Sequence, residues 1–191
     1  MEKSINLSEN IILVDAEYLD TTVGGLAAFL SQKTGRTLPK ADLCTWTGCV
    51  LLDAGVRGEG NATQVVIIHD ERTKQFSNIL PASFADDMNR KAFTDSLGEC
   101  TLNEFAAPSY VDKEHFLLDS LTHIAEAKEV KRIIVAADDN AYGDELRKVA
   151  GEISGKEVTL LSMTPMVPGS YRHDILGFSL LKALGVSADE I

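Results

Sequence analysis

The sequence predicts an α/β fold: a three-layer α/β/α sandwich around a mostly parallel five-stranded sheet. Short continuous apolar runs recur at residues 11–14, 65–68 and 133–137, as in strands buried on both faces, and Val158–Leu161 reads as a further strand. Segments with a 3.6-residue apolar period stand between them, which is the pattern of covering helices. Three of the runs lead into an acid: Asp15, Asp70 (after His69) and Asp138. In open α/β sheets, ligands bind outside the carboxyl ends of the strands. The stretch RIIVAADDNAYGDELR, residues 132–147, shows this most clearly, with a buried strand delivering acids to a strand–helix junction.

In chain order, the run at 11–14 is the first strand. Thr21 or Thr22 is the expected cap of the next helix, whose apolar stripe is Val23, Leu26 and Leu30, with Gly35 just past its end. Pro39 suits the first turn of a second helix carrying Leu43, Trp46 and Val50. Trp46 at that spacing reads as core or subunit interface. The second strand, 65–68, runs into His69 and Asp70. Ser83 with Asp86 resembles a capping box, and Phe84, Met88 and Ala92 then share a helical face. Cys100, Leu102 and Phe105 alternate with polar residues, so the third strand reads as an edge strand with one wet face.

Asp112 caps a helix whose inward residues are Leu117, Leu121 and Ile124. The fourth strand, 132–137, precedes a helix from Ala141 to about Ile153, and 158–161 is the fifth strand. Residues 173–184 make a last helix with Leu176, Leu180 and Leu184 inward. Right-handed crossovers favour the strand order 3-2-1-4-5. The chain of 191 residues reads as one domain, 1–191, with a core at about 10–163 and a helical extension at 164–191.

Bulk properties narrow the function. The net charge is −11 and basic residues are scattered, so nonspecific RNA or DNA binding is disfavoured. The N-terminus, MEKSINLSEN, lacks a signal-peptide h-region, and no run approaches the ~18–20 apolar residues of a membrane span. A cytoplasmic protein without membrane contact is expected. Cys44, Cys49 and Cys100 are odd in number and lack C-x-x-C spacing, which points to reduced thiols rather than a metal or disulfide framework.

The strand order would set Asp15 against Asp138 with Asp70 alongside. Carboxylates ~5 Å apart repel by about 3 kcal/mol at an effective dielectric of 20, so a divalent cation, a Lys or Arg, or a proton must offset them. Asp15, Asp138 and Asp70 are therefore candidate ligands for Mg²⁺ or Mn²⁺. The competing reading is that each acid caps a helix or faces water. Near the C-terminus, SYRHDILG sets Arg172 at an expected helix start, where it is a candidate anion-binding residue. His69 is a candidate ligand or base, or a strand-end histidine that is only hydrogen-bonded.

Over roughly residues 10–163 the chain resembles the NYN domain, a branch of the PIN-like metal-dependent ribonucleases. The resemblance rests on ILVDAEYLD around Asp15, on KEHFLLDSL, and on AADDNAYGDELRK in place of a strand followed by a G-D-x-D-F signature. Asp15, Asp138 and Asp119 fall on family acids. The resemblance implies a PIN-like fold and RNA or phosphate-ester cleavage by a metal-activated water, with those three as catalytic candidates. The chain departs from the pattern at Ala137 (signature Gly), Asn140 (second signature Asp), Lys113 (first acid of the helix, with Asp112 and Glu114 adjacent) and Tyr18 (often Asn). It also resembles an uncharacterised bacterial family. The departures and the net charge point to a member that kept the fold without the activity: a binding or assembly module, with a homodimer as one arrangement. The test between the two readings is whether the acids converge on one another or pair with a base such as Lys113 or Arg132.

Overall fold

The computed structural model describes residues 6–191. The first five residues of the N-terminal stretch, read above as lacking a signal-peptide core, lie outside them. In chain order the elements are β1 (Asn10–Asp15), α1 (Ala16–Thr34), β2 (Ala41–Asp42), α2 (Leu43–Asp53), β3 (Asn61–Asp70), β4 (Ile79–Leu80), β5 (Lys91–Asp95), β6 (Gly98–Ala107), α3 (Lys113–Glu126), β7 (Arg132–Ala136), α4 (Asp139–Glu152), β8 (Glu157–Ser162), β9 (Arg172–Ile175) and α5 (Leu176–Ala183).

The main sheet has seven strands in the order β5-β6-β3-β1-β7-β8-β9. Six are parallel, and β5 runs antiparallel to β6. β1 is central, with Leu13 level with Val66 on one side and Val135 on the other. Side chains of a strand alternate between faces, so the continuous apolar runs feed two separate cores. Ile12, Val14, Val65 and Ile134 pack with Leu19 and Val23 of α1, Trp46 of α2 and Leu180 of α5. Ile11, Leu13, Val66 and Ile133 pack with Leu117 and Leu121 of α3 and Leu146 of α4. No helix among the described residues is long and apolar enough to cross a membrane.

The main sheet was expected to have five strands and has seven, because two segments read as helical pair with its open edges, while β2 and β4 form a separate two-stranded sheet. After Ser83, the chain makes only a short π-helical turn, Phe84–Met88, which ends where Arg90 takes a positive φ of 57°. The chain then runs extended as β5 and turns back into β6. Asp95 accepts from the Leu97 amide at 2.7 Å in that turn. Gly98 closes it with φ 129°, where a Cβ would lie 2.1 Å from the Asn61 carbonyl oxygen. Ala92 is thus a strand residue, and β6 lies inside the edge rather than at it.

At the other margin, residues 172–175 form β9 against β8, and α5 begins only at Leu176. The segment after 163 is therefore not a purely helical extension. The inward leucines of α5 stand as expected, but the residues before them satisfy the edge amides of β8. Two helix starts also differ. α1 begins directly after β1 with Asp15 as its cap, not at Thr21 or Thr22. α2 begins at Leu43, where Asp42 caps it by accepting from the Thr45 amide at 2.6 Å, beyond Pro39.

Candidate functional site

The parallel strands β1, β6 and β7 all end at one rim, and the helices that follow them, α1, α3 and α4, start there. Three helix N-termini, those of α1, α3 and α4, meet around a cleft of about 400 Å³. Asp15, Glu17, Tyr18, Lys113, Asp138 and Tyr142 are among its lining residues.

Asp15 is the buried centre of this rim, 1% exposed. As the last residue of β1 and the cap of α1, its Oδ1 accepts from the Tyr18 amide at 3.2 Å. The same oxygen accepts from Lys113 Nζ at 2.5 Å, and Oδ2 accepts from the Tyr142 hydroxyl at 2.8 Å. Lys113 opens α3 and reaches a second acid, Glu17 Oε2, at 2.8 Å. The other Glu17 oxygen accepts from the Asp70 amide at 2.9 Å. One ammonium thus bridges two carboxylates, and one of these is tied to the end of β3.

The ionisation behaviour follows from those contacts. Burial works to lower the pKa of Lys113, but Asp15 and Glu17 outweigh it and hold the ammonium above its ordinary value. Burial pushes Glu17 upward, and its bonds from Lys113, Thr73 and the Asp70 amide bring it below its ordinary value. Burial and then the Asp15 charge raise the Tyr142 phenol, so it stays a hydrogen-bond donor. α4 is interrupted at Tyr142, whose φ of −140° and ψ of 32° leave the helical region. Burial and Asp139 likewise raise Tyr18, whose hydroxyl donates to Asp139 at 3.3 Å.

The acids singled out in the sequence are not gathered into one group. Asp138 lines the same cleft as Asp15, but its Oδ1 caps α4, accepting from the Asn140 and Ala141 amides at 3.0 and 3.1 Å. Asp70 lies outside the cleft and lines an adjoining depression together with Lys113. Its Oδ1 accepts from the Arg72 amide at 2.9 Å, and that bond, ahead of the nearby positive charges, lowers its pKa. Asp119 is an exposed residue of α3 and does not line the cleft. Arg172 sits in β9 rather than at a helix start. It donates to the Asp53 carbonyl at 3.1 Å and lies 3.6 Å from Asp174, so its charge is already engaged.

His69 is buried, with Nδ1 2.8 Å from the Asp70 carbonyl oxygen and Nε2 2.8 Å from Glu104, and it packs on Phe84 away from the cleft. Among the described residues, no three His, Cys, Asp or Glu side chains are grouped as a metal would need. The arrangement does not fit Mg²⁺ or Mn²⁺ as it stands, because the best-placed carboxylate is occupied by an ammonium and a phenol.

The family described as a family of unknown function, DUF6621, matches residues 4–191, and so takes in every element described above. The chain belongs to that family. No curated protein and no solved structure matches it.

Two residues of the DUF6621 site escaped the sequence reading, Glu17 and Tyr142. The available signal was positional: both lie within the first turns of helices that leave strand ends, where side chains face the rim. Nothing in the local sequence shows that Tyr142 donates to a residue 127 positions away.

Proposed function

We propose that this chain is a divergent PIN/NYN-like protein of the three-layer type in which a lysine has taken the place of the metal, and that it works as a binding or assembly module rather than as a nuclease. The single observation that carries this reading is Lys113 Nζ, bonded to both Asp15 and Glu17. A cation fixed there supplies the positive charge that a carboxylate cluster otherwise takes from a divalent ion, and a second cation at the same point would be repelled. The donors on Asp15 also use lone pairs that a metal would need.

The alternative is a divalent-metal-dependent ribonuclease or phosphate-ester hydrolase using Asp15 and Asp138, with Asp119 and Asp70 in support. It is favoured by one observation, that Asp15, Glu17 and Asp138 line a single cleft at the carboxyl ends of the strands.

Thermal unfolding of metal-free protein separates the two. A ligand at 100 times its dissociation constant raises the midpoint of a chain this long by roughly 5–11 °C. The expected result is no such shift with millimolar Mn²⁺ or Mg²⁺. A shift of that size in the wild type, lost in Asp15→Asn, would return the metal to the site and overturn the proposal.

A further inference from the structure

The main sheet ends at β9, which pairs with β8 along one margin only. Among the described residues, the backbone groups along its other margin have no hydrogen-bond partner. An edge of that kind is a template for a further strand. Arg172 and Asp174 stand two residues apart, so their side chains share one face of β9. His173 points to the other face, where its Nε2 lies 2.7 Å from Ser162 Oγ. The Arg172 and Asp174 side chains are 56% and 31% exposed, and the 3.6 Å between them is too long for a hydrogen bond. Arg172 spends one donor on the Asp53 carbonyl and keeps the rest of its fork.

We propose that β9 is a self-association edge, at which a second copy of this chain pairs its own β9 antiparallel and joins the two sheets into one. In register about His173, Arg172 of each copy stands opposite the partner's Asp174 on the same face of the joined sheet. The contact is isologous, so one charge pattern serves both sides. Two chains of net charge −11 repel at long range, and association needs local complementarity of this kind. The segments entering and leaving β9 also expose Met163, Val167 and Phe178, apolar surface beside the edge. The opposite edge, β5, is less suited. Its Asp95 already accepts from the Leu97 amide, and among the described residues no large apolar side chain between 86 and 100 is exposed. The proposal does not depend on the reading of the Lys113 site.

Sedimentation equilibrium of the full chain tests it. Between about 1 µM and 1 mM, the range suited to a small contact, the mean mass should rise towards twice that of the monomer. Arg172→Glu and Asp174→Lys each set like charges opposite one another and should weaken association about tenfold or more. An equimolar mixture of the two variants should recover the wild-type association, because each then meets its opposite charge in the other. An effect confined to one chain gives no such recovery. Lys91→Glu, in β5, should change nothing. In the wild type, hydrogen exchange of the backbone amides of residues 172–175 should slow as concentration rises, a readout that needs no variant. The proposal is overturned by a wild type that stays monomeric at about 1 mM, or by exchange at 172–175 that ignores concentration. It is overturned also by a dimer that both β9 variants leave intact, by a mixture that associates no better than its parts, or by loss of association in Lys91→Glu.

Discussion

Asp15, at the rim of the sheet, and Gln64, on one of its faces, are both buried polar side chains, and their surroundings treat them oppositely. Asp15 receives donors on both oxygens, from Lys113, Tyr142 and the Tyr18 amide. Gln64 uses its nitrogen, and its oxygen has no partner among the described residues. A buried charge is tolerated only when it is paired and hydrogen-bonded, whereas a neutral acceptor left empty costs a few kcal/mol at most. Asp15 is thus compensated inside the protein, whereas the Gln64 oxygen bears the cost of its burial. Acidity alone, which draws the eye to the rim, does not identify a binding site.

The largest expected effect breaks the saturated side of the comparison. Lys113→Met leaves Asp15 and Glu17 uncompensated, so stability in chemical denaturation should fall by about 3–5 kcal/mol. Adding Asp15→Asn to that variant should restore a good part of the loss, because the pair is coupled. Strictly additive losses would show that the ion pair is not what holds the rim. Tyr142→Phe comes next. It removes one donor from a buried carboxylate and should cost about 1.5–3 kcal/mol by the same measurement.

The pH dependence sharpens the same point. Glu17 is held below its ordinary 4.5, so its contribution is complete above that value and is lost as the pH falls through its folded-state pKa. Lys113 is held above its ordinary 10.5, so its contribution is complete below that value and is lost as the pH rises through its folded-state pKa. Wild type should lose more stability at both extremes than Lys113→Met does, and parallel pH profiles of the two would contradict the assignment.

At the small end stand the acids that the geometry leaves outside the ion-pair cluster. Asp138→Asn keeps a good helix cap and Asp119→Asn alters an exposed position, so each should change stability by less than about 1 kcal/mol. The Asp138 substitution also bears on function, since a metal ligand so changed would lose its ion whereas a cap would not.

Much of the fold was legible in the chain. The runs at residues 11–14 and 133–137 are uniformly apolar because both faces of their strands are covered, and that pattern leaves few alternatives. The margins of the sheet were not legible. Residues 91–92 and 173–175 fall on the expected helical spacing but form strands, because an open edge pairs with whatever backbone reaches it, and apolar period does not record that demand. Of the candidate acids, Asp15 was placed at the rim from its position after a buried run. Glu17 and Tyr142 were missed, and Asp119 was included only through resemblance.

The sequence alone determined the parallel α/β architecture, the acids at the strand ends and the apolar stripes that form two cores. All of these are written in local periodicity. Only the tertiary structure decided that Lys113 comes to Asp15 across 98 positions, that Tyr142 donates to the other oxygen, and that the Gln64 oxygen is buried with no partner among the described residues. Those outcomes depend on which elements become neighbours. The chemistry of a buried polar group is set by the partners that packing brings to it, not by the residues beside it in the chain.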